Sequence, residues 1–167
     1  MWNEVHWVPG PWFGKLAVSP RPRGGDWLED ALAGWRREGI DEVLSLLTPD
    51  EEKELELENE ADLARQQGLK FRSFPIPDRQ VPASRPAFAQ TLETIKEDLS
   101  SGKSVLIHCR QGIGRTGLVA ACLLVSQGLD PLTAIERVSS ARGLLVPETE
   151  EQRRWIDRFA AVSAGAK

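Results

Sequence analysis

The sequence predicts an α/β fold, with a mainly parallel central sheet flanked by helices on both faces. Short apolar runs, rich in β-branched residues, alternate along the chain with longer segments whose apolar residues have helical spacing. The 167 residues, 41% of them hydrophobic and 28% charged, are enough for one domain with a sizeable core. We therefore expect a single domain over residues 1–167, with its active loop at the carboxyl end of a strand.

The individual elements follow from the same patterns. Strands are predicted over residues 5–8, 15–18, 41–47, 69–74 and 103–107. Helices are predicted over residues 27–37, 49–67 as one helix or a pair, 86–99, 115–127, 131–143, and from 147 onward. Residues typical of helix starts mark several of these boundaries, namely Asp26, Thr48 and Ser84 as N-caps and Pro147 as the opening of the last helix.

The stretch from Val105 to Gly117 reads as a strand, a tight loop and a helix. Its glycines allow the backbone to curl so that successive N–H groups face one concavity at a helix N-terminus, which is an anion site. A guanidinium in the same loop can hold two oxygens of a phosphate at once. The predicted phosphate-binding residues are therefore Arg110, Gln111, Gly112, Ile113, Gly114 and Arg115.

Cys109 begins this loop, where the field that attracts phosphate also favours a thiolate. A thiolate at the floor of a phosphate site is a nucleophile directed at phosphorus. We expect Thr116 to donate its hydroxyl to the Cys109 sulfur, and His108 to orient the cysteine backbone. The alternative is a buried structural cysteine at a glycine-rich turn, which is the role we expect for Cys122 in the following helix.

The pattern His108-Cys109-x5-Arg115-Thr116 resembles the signature of cysteine-dependent protein tyrosine phosphatases. Within that superfamily the chain is most similar to the small dual-specificity group and its kinase-associated-phosphatase-like members, roughly from Leu16 to Phe159. The resemblance implies a protein-tyrosine-phosphatase-like fold. It also implies hydrolysis of phosphate monoesters through a phosphocysteine intermediate. No cluster of His, Cys and Asp with metal-ligand spacing accompanies the loop, so we expect no metal and no cofactor.

Asp78 is the predicted proton donor. It lies on a loop bounded by Pro75, Pro77 and Pro82, and such a loop can fold over a substrate. In the resembled family the acid lies about thirty residues before the cysteine, which agrees with its position here. The alternative is that Asp78 is only a turn residue.

Gln152 is a further candidate, given by the resemblance. Thr149-x-x-Gln152-x-x-Trp155 looks like part of a family motif whose glutamine orients the water that hydrolyses phosphocysteine. Many tyrosine-only phosphatases have another glutamine just before the threonine, where this chain has Glu148. The alternative for Gln152 is a solvated position on a helix surface.

The charge distribution bears on the partner. Residues 50–62 contain eight acids and one lysine, which we interpret as a solvated helix face. The remaining 17 acids and 20 bases leave the rest of the chain mildly basic, as suits a phosphate-bearing substrate. Arg21 and Arg23, in a proline-rich loop, either reach the substrate or are simply exposed.

Composition also limits location and partners. Two cysteines argue against a disulfide framework, and no apolar run approaches the roughly 20 residues that span a bilayer. The N-terminus lacks a basic region followed by an apolar stretch. We therefore expect a cytoplasmic protein with no membrane and no nucleic-acid partner, acting on a phosphorylated protein or peptide. The oligomeric state is left open.

The substrate class follows from the absence of tyrosine. Tyrosine-only phosphatases usually build a deep pocket with a tyrosine that stacks on the substrate ring, and this chain has no tyrosine. A shallower pocket is expected, acting on phosphotyrosine and also on phosphoserine or phosphothreonine. The alternatives are a phosphoinositide or inositol-phosphate phosphatase, disfavoured because Ile113 stands where a lysine would hold further phosphates, and a phosphate-binding module without turnover.

Overall fold

The computed structural model describes residues 4–165 and contains five strands and seven α-helices over that range. Residues 1–3 and 166–167, which the predicted domain includes, lie outside the described range. The strands are β1 (His6–Val8), β2 (Leu16–Ser19), β3 (Glu42–Ser45), β4 (Lys70–Ser73) and β5 (Val105–His108). The helices are α1 (Leu28–Arg37), α2 (Pro49–Glu54), α3 (Glu60–Gln66), α4 (Arg85–Ser100), α5 (Gly114–Val125), α6 (Pro131–Arg142) and α7 (Glu150–Gly165).

The strands form one sheet in the order β1-β2-β5-β3-β4. Strands β2, β5, β3 and β4 are parallel, and β1 pairs with β2 in the antiparallel direction. The central strand β5 ends at His108, which is in register with Ser19 of β2 and with Ser45 of β3. The segments that follow these three strands therefore meet at one edge of the sheet.

Helices cover both faces of the sheet, as predicted. On one face α4, α5, α6 and α7 enclose a core that includes Ile107, Phe88 and Trp155. On the other face α1 and α3 pack over alternate strand residues such as Leu106, with Trp35 fully buried between them. Helix α5 is buried along its whole length, because its residues are almost all small or apolar. No helix in the described range is long and apolar enough to cross a membrane.

Two predicted helix starts differ from the structure, and one open alternative is decided. Asp26 does not cap α1; it lies inside a short 3₁₀ turn, Gly25–Trp27, which precedes that helix. Helix α7 begins at Glu150 rather than at Pro147, because the Thr149 hydroxyl accepts the Gln152 N–H as an N-cap does. Residues 49–67 form a pair of helices, which was one of the two alternatives.

Candidate active site

The segment from Cys109 to Arg115, the signature loop, turns tightly between β5 and α5. Gly112 has a φ of +71°, and a Cβ atom there would lie 2.5 Å from the Ser19 carbonyl oxygen, so only glycine fits. The Gly112 N–H donates a hydrogen bond to Cys109 Sγ over 3.3 Å. Cys109 is 3% exposed, so its sulfur lies on the floor of the loop. The N-terminus of α5 directly after the loop stabilises negative charge there.

Arg115, in the first turn of α5, is 1% exposed and fully engaged through its two Nη atoms. Nη1 donates to Glu51 Oε1 over 2.7 Å and to the Ile76 carbonyl over 2.8 Å. Nη2 donates to Glu51 Oε2 over 2.9 Å and to Asp78 Oδ1 over 3.0 Å. Burial by itself lowers the pKa of Arg115, but the hydrogen bond to Glu51 and the surrounding negative charges raise that pKa above its ordinary value. The guanidinium therefore keeps its charge inside the protein.

Glu51 is held in place by the start of α2. Its N–H donates to Thr48 Oγ1 over 3.3 Å, and its carboxylate accepts the Thr48 N–H over 3.1 Å, which is a capping box. Burial raises the pKa of Glu51, but hydrogen bonds from Arg115 and Thr48 outweigh burial and bring that pKa below its ordinary value. A charged, fixed acceptor thus orients Arg115 from the side of the site formed by α2.

Asp78 contacts the same guanidinium as Glu51, and Cys109 is close enough to Arg115 to help raise the pKa of that arginine. The structure thus brings together three of the five predicted catalytic residues: Cys109, Arg115 and Asp78. The Asp78 side chain is 52% exposed, in contrast to the buried Glu51. All four N–H bonds of the two Nη atoms of Arg115 are occupied. A phosphate that binds Arg115 through Nε and Nη2 would therefore displace the Asp78 carboxylate.

His108 contacts the cysteine backbone at the position predicted for it. Its Nδ1 lies 3.2 Å from the Cys109 carbonyl oxygen, and its Nε2 lies 2.7 Å from Glu60 Oε2. A carbonyl can only accept, so the Nδ1–H donates to it. Both side chains are 0% exposed. This buried pair fixes the end of β5 and hence the start of the signature loop.

Arg142, at the C-terminus of α6, holds the outer side of the signature loop. Its Nε donates to the Gly112 carbonyl over 3.1 Å and its Nη2 to the Gln111 carbonyl over 2.9 Å. Carbonyls held outward leave the amide N–H groups of the same peptides directed to the other side of the chain. Sequence reasoning did not identify this arginine as part of the site.

Gln152 joins the loop that carries Asp78 (residues 75–82, the acid loop) to the segment before α7. Its Oε1 accepts the N–H groups of Glu148 and Thr149, each over 3.1 Å, and its Nε2 donates to the Gln80 carbonyl over 3.1 Å. Gln152 is 0% exposed, so the alternative of a solvated helix surface is wrong. Arg79 Nη1, next to Asp78, donates to Glu148 Oε2 over 2.8 Å. Two contacts therefore fasten the acid loop beside the signature loop.

Other predicted contacts differ in the structure. The Thr116 hydroxyl is buried with no hydrogen-bond partner among the described residues, so the predicted bond to Cys109 is absent. The Arg110 side chain donates to Glu54 over 3.0 Å instead of facing the centre of the loop. Ile113 packs against the core, and only its backbone is available to an anion.

The flanking residues also have defined positions. The Arg21 N–H donates to the Arg110 carbonyl over 3.2 Å, and the Arg23 guanidinium lies 4.1 Å from the centre of the Trp27 ring. Cys122 is 0% exposed and its pKa is raised well above the ordinary value by burial, which confirms it as a core residue. Both cysteines are free thiols. Among residues 4–165, no group of three or more His, Cys, Asp or Glu side chains is placed to hold a metal ion.

The interpretation of residues 50–62 as a solvated helix face is wrong for two buried glutamates in this stretch. Glu51 and Glu60 are 7% and 0% exposed and contact Arg115 and His108. Glu54 is exposed but contacts Arg110. The stretch therefore supplies the carboxylates that fix three residues of the site.

A cysteine and an arginine at opposite ends of one loop, at the carboxyl edge of a parallel sheet, define the class of cysteine-dependent phosphatases. The profile of a family described as "Polymorphic toxin system, DSP-PTPase phosphatase" matches residues 19–129. This chain belongs to that family.

Curated relatives agree with this assignment. Cyclin-dependent kinase inhibitor 3 of Rattus norvegicus is 32% identical over 123 residues, which cover 72% of this chain and 58% of the relative. The human protein of the same name is 31% identical over 123 residues with the same coverage. The chain thus spans somewhat more than half the length of the curated relatives it matches.

Solved structures agree in fold. A kinase-associated phosphatase whose catalytic-site cysteine was replaced by serine has a TM-score of 0.89 at 23% identity, over 98% of this chain and 97% of that chain. Tk-PTP, in its active form, has a TM-score of 0.76 at 28% identity, over 96% and 99% of the two chains. The small dual-specificity phosphatase group predicted from the signature is therefore confirmed.

Proposed function

We propose that this chain is a protein phosphatase that hydrolyses phosphotyrosine, and also phosphoserine or phosphothreonine, through a phosphocysteine intermediate. One observation carries the proposal: the Cys109 sulfur, the Arg115 guanidinium and the Asp78 carboxylate share one site at the N-terminus of α5. Phosphate binding needs neither a nucleophile nor an acid, so their joint presence favours turnover over a phosphate-binding module.

In the first step the Cys109 thiolate attacks phosphorus and the ester P–O bond breaks. The signature-loop N–H groups and Arg115 hold the equatorial oxygens, where negative charge accumulates. Asp78, displaced from Arg115 by the phosphate, gives its proton to the leaving oxygen. The products of this step are a free alcohol or phenol and a phosphocysteine.

In the second step water attacks the phosphocysteine. Asp78 takes a proton from that water, the P–S bond breaks and inorganic phosphate leaves, so the thiolate and the acid are both restored. Gln152 is proposed to orient the water, because its side chain lies between the acid loop and the start of α7. Thr116 is proposed to donate its buried, unpaired hydroxyl to the departing sulfur once the loop carries a phosphoryl group.

The substrate is proposed to be a phosphorylated protein or peptide. The curated relatives are named for a cyclin-dependent kinase, and the solved relative for association with a kinase. An inositol-phosphate substrate is less well supported, because Ile113 packs into the core instead of presenting a cation to further phosphates. We place the reaction in the cytoplasm, where both free thiols stay reduced.

The test is a turnover assay with p-nitrophenyl phosphate. The wild type should release nitrophenol and be inhibited by vanadate, while Cys109→Ser should lose turnover and still bind phosphate. Cys122→Ala is the matched control and should keep its activity, since that thiol is buried in the core. Substantial hydrolysis by Cys109→Ser would contradict the assignment of the nucleophile.

A second assay separates the substrate classes. Rates on a phosphotyrosine peptide, a phosphothreonine peptide and an inositol phosphate are compared at equal concentration. Faster turnover of the peptides supports the proposal. A strong preference for the inositol phosphate would favour the alternative class.

A further inference from the structure

A cavity of about 920 Å³ lies beside the signature loop, between α6 and the segment that leads into α7. We call it the α6 groove. Its walls include Leu132, Ile135, Glu136, Leu144, Leu145 and Glu150. None of these six side chains takes part in the phosphate site described above; Glu148 and Thr149, which also line the groove, contact Arg79 and Gln152.

The rim of the α6 groove is unusually apolar for a protein surface. Leu145 is 88% exposed, Leu132 is 54% exposed and Leu144 is 48% exposed. Beneath this rim Ile135 and Val146 are buried in the core and close the floor. Exposed leucines gathered around one cavity are typical of an interaction surface, whereas isolated ones are not.

The charged side chains of the α6 groove indicate which charge a partner should carry. Its walls carry the carboxylates of Glu136, Glu148 and Glu150 and the guanidinium of Arg153. Glu148 is already paired with Arg79 over 2.8 Å, so the carboxylates left to a partner are those of Glu136 and Glu150. Glu150 has a partner in Arg154, but that pair is exposed and 3.6 Å apart, so it neutralises little of the local field. The groove therefore favours a basic partner with apolar side chains.

The α6 groove ends beside the signature loop. At its inner end Glu148 Oε1 would lie 2.9 Å from a Cβ atom on Gly114, at the end of the signature loop. From Gly143 at this end, the wall runs out along α6 to Leu132, a distance of about 16 Å. An extended peptide advances about 3.3 Å per residue, so about five residues fill this length.

We propose that the α6 groove binds the substrate chain that flanks the phosphorylated residue, as an extended segment of about five residues with a leucine-like side chain and a lysine or arginine. The apolar side chain contacts the leucine rim, and the basic side chain faces Glu136 and Glu150. This inference rests on the proposed function. It adds to that function a sequence preference which the phosphate site alone does not provide.

The experiment compares two phosphopeptides with the same phosphorylated residue. One has leucine and lysine within five residues on both sides, and the other has alanine at those positions. The wild type should have a KM about tenfold lower for the leucine-lysine peptide with kcat little changed, because the groove contributes binding and no chemistry. Leu145→Asp and Glu136→Lys should each remove most of this difference and leave turnover of p-nitrophenyl phosphate as in the wild type.

Matched controls lie elsewhere on the surface. Phe13→Asp changes an apolar residue that is 93% exposed, and Glu97→Lys changes an exposed acid on α4; both should keep the peptide preference. Equal KM values for the two peptides in the wild type would overturn the groove proposal while p-nitrophenyl phosphate turnover upholds the phosphatase. Loss of that turnover in the wild type would instead refute the proposed function.

A different occupant gives a different result. Were the α6 groove a contact between two copies of this chain, the wild type would sediment as a dimer and Leu145→Asp as a monomer, with no peptide preference in either. That outcome would overturn the proposal. A wild type whose sedimentation is unchanged by Leu145→Asp, together with the expected peptide preference, supports it.

Discussion

Replacing Glu51 with glutamine tests whether the carboxylate behind Arg115 is needed for catalysis. Glu51 accepts two short hydrogen bonds from the guanidinium, at 2.7 and 2.9 Å, inside the protein. The glutamine side chain keeps one oxygen that can accept from Arg115, but its amide N–H would face the second Nη–H of the guanidinium. The loss of one charge-assisted bond, with one buried donor left unpaired, costs about 2 to 4 kcal/mol.

That free energy divides between folding and the transition state. Each 1.36 kcal/mol lost from transition-state binding lowers the rate tenfold, so the full cost corresponds to a fall in kcat/KM of about 30-fold to 1000-fold. The assay is steady-state turnover of p-nitrophenyl phosphate, with urea unfolding to measure how much of the cost appears as stability. A Glu51→Gln variant within threefold of the wild type in kcat/KM would show that Arg115 is oriented without Glu51.

Glu54→Gln is the matched control for this prediction. It lies on the same short helix, α2, and its carboxylate also contacts an arginine, Arg110, over 3.0 Å. The Glu54 side chain is 67% exposed, so its contact contributes little. We expect its kcat/KM to stay within about threefold of the wild type.

Three further changes test other contacts. Glu148→Gln breaks the ion pair to Arg79 and should lower kcat on an alkyl phosphate more than on p-nitrophenyl phosphate, because the poorer leaving group depends more on the acid loop; equal losses would contradict this. Arg142→Ala removes two donors from the signature-loop carbonyls and should weaken inhibition by inorganic phosphate about tenfold, whereas an unchanged Ki would show that the loop holds itself. Burial, together with the neighbouring Asp98, raises the pKa of Glu42 to about 7, so the folded state holds a proton that the unfolded chain releases above its pKa of 4.5. The free energy of unfolding of the wild type, measured with urea, should therefore fall by about 2 kcal/mol between pH 5 and 8. The fall should be smaller in Glu42→Gln, and an equal fall in both proteins would refute the role of Glu42.

The sheet and the phosphate site were predictable because both follow from local patterns. The apolar run before Cys109 identifies a buried strand, and the glycines after it can only form a tight turn before the helix. Cys109 and Arg115 stand in the same loop, so their meeting needs no knowledge of the tertiary structure. Asp78 was found from the chemical need for a proton donor and from the position of the acid in the resembled family, and in the structure its carboxylate accepts a hydrogen bond from Arg115.

The supporting contacts were harder to predict because they join distant segments. Arg142 and Glu60 carry no local signal, since an arginine at a helix end and a glutamate in an acidic run are both ordinary. Glu51 was within reach: Thr48 and Glu51 form a capping sequence directly after β3, and a strand parallel to β5 ends at the same edge of the sheet. The acidic composition of residues 50–62 hid this signal.

The predicted starts of two helices were wrong where tertiary contacts outweigh local sequence preferences. The 3₁₀ turn at Asp26 packs beside the segment after α2, with the Gly25 N–H donating to the Glu56 carbonyl over 3.0 Å. The start of α7 is fixed by Thr149 and by Gln152, whose amide oxygen accepts two backbone N–H groups. A proline predicts that a helix can begin nearby, but it does not specify which hydroxyl will cap it.

The Asp78 carboxylate, bound to Arg115, competes with incoming anions for the same guanidinium. An oxyanion that binds Arg115 through Nε and Nη2 has to displace this carboxylate, and the free energy of breaking the Arg115–Asp78 hydrogen bond lowers the observed affinity. Asp78→Asn, which removes the charge of this occupant, should therefore bind vanadate or sulfate more tightly than the wild type even as turnover declines. In the proposed mechanism, the side chain that supplies the proton for hydrolysis therefore also lowers the affinity of the site for anions.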